Sequence, residues 1–286
     1  MKKILTISLI LLAYAFASAQ QPQQQQTQQQ PPQPTQPTQQ QQRQQGPIPG
    51  QVLKTLDPNR MSPLMTEIMD PEVAIITPGV KDSNPPSDAI ILFDGSDVNK
   101  EWCDSKGNPT KWIAKDDELV CVPRSGVIQT KRKFGSVQLH VEWKTPSEVK
   151  GDGQGRGNSG VYMQELYEIQ VLDSYNNRTY RNGQAGALYK QHAPLVNASR
   201  KPGEWQSYDI IYIAPTFAKD TTVYNTPPRI TVIHNGVLIQ NNVSLRGPTE
   251  YIGIPEYFIK VHGPASLVLQ DHGNPVAYRN IWIREL

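Results

Sequence analysis

The chain has 286 residues, 28 of them basic and 26 acidic, for a formal net charge of +2. Two of the basic residues, Lys2 and Lys3, lie in a leader, and without them 26 basic residues face 26 acidic ones. A mature chain so near neutrality lacks the basic surplus that nucleic acid or an anionic membrane surface selects, so neither is expected as a partner.

Lys2 and Lys3 precede an apolar run over 4–16 and then Ala17-Ser18-Ala19. That order of basic region, apolar region and small-residue cleavage site marks an export signal over 1–19. The mature protein is expected to start near Gln20 and to reside in the periplasm or outside the cell. The apolar run is short for a bilayer span and no later run is longer, so no membrane span is expected. Residues 20–45 are almost wholly Gln, Pro and Thr, a composition that cannot bury apolar surface, and they read as a disordered linker. Residues 46–87 differ. They are punctuated by Pro yet carry Val52, Leu53, Leu56, Met61, Leu64, Met65, Ile68, Met69, Val73, Ile75 and Ile76. We read them as an irregular extension packing on the main domain, with one short helix near 63–69.

From 88 to 286 the pattern is all-β. Segments 89–93, 118–122, 126–130, 136–144, 160–163, 167–172, 186–189, 205–213, 229–234, 237–242, 266–270 and 276–285 are rich in Val, Ile, Tyr and Trp and bounded by Gly, Pro, Asn or Asp. Asn235-Gly236 between two apolar runs is the strongest hairpin signal. About 200 residues of short strands suffice for one antiparallel sandwich with a single core. Cys103 and Cys121 are the only cysteines; export permits a disulfide between them, and two buried thiols are the alternative.

The most informative stretch for chemistry is E-L-Y-E-I-Q-V-L-D-S-Y over 165–175. Alternate side chains of a strand share a face, so Glu168 and Gln170 point one way and Ile169 and Val171 the other. Asp173 joins the polar face if a β-bulge intervenes. Glycan cleavage needs two such groups close together, one giving a proton and one acting as base or nucleophile. An ordinary amphipathic strand has the same alternation. In 134–144, His140, Glu142 and Lys144 share one parity; if this strand neighbours that of Glu168, Glu142 and Lys144 join its patch. The Gly-rich run 151–160 is followed by neither Lys-Ser/Thr nor a helix, so it is no phosphate loop. It reads as a flexible rim that delivers Arg156, Asn158 and Ser159. Gln270 and His272 share a parity at a strand end. Arg279, in an otherwise apolar strand, needs a partner, and a carboxylate of the Glu168 patch is a candidate. The five histidines form no close-spaced pair that would signal a His-built zinc site.

Four blocks of the chain together resemble the 3-keto-disaccharide hydrolase family. They are I-L-F-D-G at 91–95; G-N-S-G-V-Y at 157–162 with Y-E-I-Q-V-L-D at 167–173; G-A-L-Y at 186–189 with K-P-G-E-W-Q-S-Y at 201–208; and H-N-G at 234–236 with L-Q-D-H-G-N-P-V-A-Y-R-N-I-W-I at 269–283. The resemblance covers about 88–286. It implies a two-sheet antiparallel jelly roll of the concanavalin A-like lectin and glucanase type, with a ligand groove on one sheet. Laminarinase-type glucanases carry E-x-D-x-x-E there; Glu168, Gln170 and Asp173 keep the spacing as E-x-Q-x-x-D, which departs from ordinary retaining hydrolysis.

The activity the resemblance implies is different. A carbonyl at C3 of a sugar acidifies the proton at C2; a base removes it, the C1 substituent leaves, and water adds. On that scheme Glu168 or Asp173 is the base and His272 the acid or electrophile, while Arg279 holds the carboxylates or the oxyanion. Gln170, Glu142, Lys144, Asn158, Ser159, Tyr189 and Gln270 contact a small carbohydrate. The scheme names no definite cofactor, and a divalent cation on oxygen ligands is one candidate electrophile. Two readings outside catalysis stand beside it: a carbohydrate-binding module, and a surface scaffold with the Gln/Pro tract as stalk.

Overall fold

The computed structural model describes residues 67–219, 222–251, 259 and 261–286. The expected leader, the Gln-rich linker and the first part of the extension therefore lie outside the described residues. The chain contacts divide into units over 1–72 and 73–286. Within the first, 67–72 carry neither strand nor helix, so 67–69 are not helical, and 63–66 lie outside the described residues.

The second unit is all-β. Its strands are β1 (Ile90–Phe93), β2 (Trp102–Asp104), β3 (Ile113–Lys115), β4 (Glu118–Val120), β5 (Ile128–Thr130), β6 (Val137–Lys144), β7 (Ser159–Met163), β8 (Tyr167–Val171), β9 (Gln206–Ile213), β10 (Thr216–Phe217), β11 (Tyr224–Thr226), β12 (Arg229–His234), β13 (Val237–Ser244), β14 (Val268–Leu269) and β15 (Ala277–Glu285). The larger sheet has eight strands in the order β13-β12-β9-β6-β15-β4-β3, with β1 also on β15, and the smaller has five in the order β2-β5-β14-β7-β8. All pairings are antiparallel. The two sheets form the expected jelly-roll sandwich. Asn235 and Gly236, at φ of 52° and 80°, make the turn between β12 and β13.

The core lies between the sheets. Alternate residues of β6 (Val137, Leu139, Val141, Trp143) and of β8 (Tyr167, Ile169, Val171) enter it, none more than 1% exposed. Three tyrosines cross from the large sheet to chain of the small one. Tyr208 donates to the Gln170 carbonyl at 2.8 Å, Tyr212 to Gln164 Oε1 at 2.6 Å, and Tyr278 reaches Ser159 Oγ at 2.6 Å. Buried hydroxyls need partners, and these bonds fix how the sheets sit face to face.

The outer face of the large sheet carries a charged cluster. Arg279 Nε donates to Glu142 Oε2 at 2.6 Å, and its guanidinium lies 4.1 Å from the Trp205 ring centre. Asn280 Nδ2 reaches Glu142 Oε1 at 2.9 Å. His140 bonds Asp209 Oδ1 through Nδ1 at 2.6 Å and stacks on Trp282. Burial pushes Glu142 up, but the His140 ring 3.7 Å away and hydrogen bonds from Asn280 and Arg279 hold it at about 2. Burial likewise pushes His140 down, while Asp209 and Glu142 raise it to about 9, so the ring is a cation at neutral pH. Asn280 Nδ2 and Trp282 Nε1 also donate to the Ser83 carbonyl, at 2.8 and 3.0 Å, which fastens the end of the extension to this face; Val73 and Ile75, expected to pack, are instead 92% and 96% exposed. Cys103 and Cys121 are free and buried, the second of the two alternatives.

Candidate active site

The hairpin of β7 and β8 runs in continuous register, with Gly160 opposite Gln170 and Tyr162 opposite Glu168. Its turn residues, Gln164 and Glu165, are left-handed at φ of 49° and 65° without being Gly. Both side chains are used: Gln164 donates to the Phe134 carbonyl, and Glu165 Oε1 accepts from Ser266 N. Because Ser159, Val161, Ile169 and Val171 point into the core, Gly160, Tyr162, Glu168 and Gln170 share the outer face of the small sheet. On one side β14 pairs with β7, and Gln270 N donates to the Gly160 carbonyl at 2.9 Å, which sets Gln270 on the same face. On the other side, 186–189 run along the edge of β8. Gly186 N donates to the Gln170 carbonyl at 2.8 Å and Tyr189 N to the Glu168 carbonyl at 3.2 Å. Glu168 N donates to Thr249 Oγ1 at 2.9 Å.

These elements enclose a pocket of about 140 Å³. Of the residues expected from sequence it holds Glu168, Gln170, Asn158, Tyr189, Gln270 and His272; Tyr162, Thr249 and Tyr251 complete it. Glu168 is 4% exposed. Burial raises its carboxyl to about 7, against a hydrogen bond from the Tyr162 hydroxyl that favours the ionised form. In the amide orientation that matches donors to acceptors, Gln170 donates to Glu168 Oε1 at 3.0 Å and to the Ser159 carbonyl at 3.2 Å. Gly160 makes room for the carboxyl, since a Cβ there would stand 2.7 Å from Glu168 Oε1. Gln270 Nε2 donates to the Tyr162 hydroxyl at 3.0 Å, while its Oε1 is buried with no partner among the described residues. That oxygen is ready to accept from a ligand hydroxyl. His272 is exposed at the pocket mouth. On the rim the Tyr180 and Tyr189 hydroxyls are 2.6 Å apart, and Lys190 Nζ lies 4.2 Å from the Tyr180 ring centre and 5.6 Å from that of Tyr251.

The structure separates five expected site residues from this pocket. β8 ends at Val171 with no bulge against β7, and Asp173 lines a neighbouring cavity instead. There it accepts from Arg156 Nε at 2.7 Å and from Tyr175 N at 3.2 Å. Ser159 has core parity; its hydroxyl donates to the Gln270 carbonyl at 2.5 Å and meets Tyr278. Glu142, Lys144 and Arg279 belong to the other sheet, since β6 lies between β9 and β15 and not beside β8. On β15, Tyr278 points inward to Ser159, so the next residue, Arg279, points to the opposite surface. Its partner is Glu142; Lys144 pairs with Glu118 at 2.5 Å.

The pocket residues that sequence reasoning missed are Tyr162, Thr249 and Tyr251. Pairing the segments 160–163 and 167–172 as a hairpin would have placed Tyr162 across from Glu168. Thr249 and Tyr251 lie about 80 residues further on, in a loop without periodic signal. A divalent cation does not fit the donor set. The pocket offers one carboxylate and one imidazole among amides, hydroxyls and phenols, and no three His, Cys, Asp or Glu gather anywhere among the described residues.

An antiparallel β-sandwich thus carries on its smaller sheet a pocket in which one buried carboxyl, raised to about 7, lies among amides and phenols. The chain belongs to the family described as the 3-keto-alpha-glucoside-1,2-lyase-like domain, whose profile matches residues 88–284. It is similar to a candidate glycosyl hydrolase from Parabacteroides distasonis ATCC 8503 solved at 2.13 Å. The identity is 48% over 79% of this chain and 97% of that one, with a TM-score of 0.74. A second candidate glycosyl hydrolase from the same organism, at 1.70 Å, shares 22% identity over 69% of this chain and 94% of its own, with a TM-score of 0.50, and shows the fold alone. A search of curated proteins returned no match.

Proposed function

We propose that the protein is a glycan-acting enzyme that cleaves 3-keto-glycosides by elimination and hydration. The observation that carries this reading is Glu168: a single carboxyl, 4% exposed and raised to about 7, in a pocket whose other groups are the His272 imidazole and hydrogen-bonding amides, hydroxyls and phenols. A group that titrates near neutral pH exchanges protons efficiently there. Asp173 is engaged by Arg156, which leaves Glu168 as the base.

In the reaction Glu168 takes the proton from C2, and the electron pair moves onto the C3 oxygen as an enolate. The enolate collapses to form the C1–C2 double bond as the C1–O bond breaks. The leaving oxygen takes a proton from His272 at the pocket mouth, and the freed alcohol departs. Water then adds its hydroxyl to C1 and a proton to C2, so the sum is glycoside plus water giving alcohol plus 3-keto sugar. Gln270 Oε1 and the Asn158 amide receive sugar hydroxyls, and Tyr189 closes the side wall. Family membership and the candidate hydrolase at 48% identity support the same substrate class.

Tyr251, 78% exposed beside Tyr180, Tyr189 and Lys190, would equally serve a module that binds sugar without cleaving it. Turnover of a chromogenic 3-keto-glucoside decides between them. Release of the chromophore by the unsubstituted protein and its loss in Glu168→Gln support the enzyme; sugar binding with no release supports the module.

A further inference from the structure

Glu168 does not stand alone on its sheet. Strands β14, β7 and β8 lie side by side in that order. In their register Val268 of β14 pairs with Tyr162 of β7, and Tyr162 with Glu168 of β8. Gln270 follows β14 on the same outer face, held there by its backbone bond to the Gly160 carbonyl. Three polar side chains therefore run across the strands in one line, from Gln270 through Tyr162 to Glu168.

The line has a direction. The Gln270 amide nitrogen can only donate, and it donates to the Tyr162 hydroxyl at 3.0 Å. A phenol has one proton. With its oxygen accepting from Gln270, that proton is left for the Glu168 carboxyl, to which the hydroxyl is bonded. Burial, and the negative charge of Glu168 beside it, hold the Tyr162 hydroxyl well above the ordinary phenol range, so it keeps the proton it donates. Such a bond favours the ionised form of Glu168. Hydrogen bonds in series polarise one another, so the amide at the start strengthens the bond at the end. The Gln270 oxygen, buried and without a partner among the described residues, is the open head of the series.

We infer that Gln270 and Tyr162 are positioning residues that act in series: Gln270, two strands away from Glu168, aims the Tyr162 hydroxyl and so sets how strongly Glu168 holds its proton. The inference deepens the proposed role of Glu168 as base and rests on that reading for its catalytic consequence. The other titratable or charged groups about Glu168 are Tyr189, Tyr251 and His272 in the pocket, Tyr180 and Lys190 on the rim, and Tyr278 from the opposite sheet. The variants that test the series leave all six in place.

Tyr162→Phe keeps the ring and removes the hydroxyl; Gln270→Leu keeps the bulk and removes the amide. Carbon-13 NMR follows the Glu168 carboxyl as pH is varied, its signal assigned by its loss in Glu168→Gln. The midpoint should rise by about one pH unit or more in Tyr162→Phe, which loses a hydrogen bond to a charged group. It should rise by about 0.3 of a unit in Gln270→Leu, which loses only the polarising bond behind it. Adding Gln270→Leu to Tyr162→Phe should move it no further, because the series is already cut. An unmoved midpoint in Gln270→Leu overturns the inference. So does a double variant in which the two shifts add, since leucine would then act by desolvating Glu168 directly. With a 3-keto-glucoside as substrate, the rising limb of kcat/KM should move to higher pH by the same amounts. A fall in kcat/KM that is equal at every pH marks a merely structural role and overturns it. Should the unsubstituted protein turn over no 3-keto-glucoside, the cleavage reading fails on its own, and the NMR midpoints still decide the series.

Discussion

Replacing Glu168 by Gln should sharply reduce turnover and stabilise the fold, and the second effect is the sharper test. The Glu168 carboxyl is raised by burial from 4.5 to about 7. A carboxyl so raised keeps its proton in the folded state over a pH range in which the unfolded chain has lost it. Stability therefore falls as pH rises from about 4.5 to about 7 and stays lower above that. Each pKa unit is worth about 1.4 kcal/mol, so the loss is about 3 kcal/mol. The amide in the variant has no proton to lose and preserves an oxygen for the Tyr162 hydroxyl. Urea unfolding of both proteins at pH 4.5 and pH 8 should show the variant gaining about 3 kcal/mol on the wild type between the two conditions. In the same samples, cleavage of a 3-keto-glucoside should fall by roughly 10²–10⁴-fold, the usual contribution of a positioned base. Parallel pH dependence in the two proteins would refute the account of a desolvated carboxyl. Full turnover by the variant would remove Glu168 from the chemistry.

Four further outcomes follow from the geometry. kcat/KM should rise with pH through about 7, as Glu168 ionises and becomes a base; a profile flat from pH 5 to 9 would contradict this. Gly160→Ala sets a methyl group 2.7 Å from Glu168 Oε1 and 3.0 Å from the Tyr162 ring, so the carboxyl must shift and turnover should fall by up to about 10². Asp173→Ala leaves the partly exposed Arg156 only the Tyr175 carbonyl and should lower unfolding stability by roughly 1–3 kcal/mol, with measurable cleavage of methyl 3-keto-glucoside retained. Arg279→Ala should leave kcat and KM within about twofold of wild type while lowering the melting temperature, because Arg279 braces Glu142 and Trp205 on the far sheet.

The fold was legible because its signals are local. Period-two alternation located most strands, and Asn235-Gly236 supplied the two left-handed residues its turn requires. The strands without a sequence signal, β2, β3, β10 and β11, are two or three residues long, too short for alternation to register. Conversely, 186–189 follow the edge of β8 through three backbone hydrogen bonds without forming a regular strand. Within the site, parity along one strand correctly paired Glu168 with Gln170, and Gln270 with His272. What parity cannot give is which sheet a strand joins. Glu142, Lys144 and Arg279 had suitable chemistry and orientation, but β6 and β15 are central strands of the opposite layer. Asp173 turned on where β8 stops and on Arg156 from the Gly-rich loop, a contact between two irregular segments. Ser159 reads from sequence as a loop residue and is instead the first residue of β7, with core parity.

Glu168, the base we propose, rides on a five-residue strand bonded along both edges, while Tyr251 and His272 arrive on separate connections. Position and preference are thereby entrusted to different parts of the chain. Substitutions in the connections should therefore put the strand and its carboxyl at little risk. Attempts to redirect the enzyme toward new glycosides should begin at those borders and leave the strand alone.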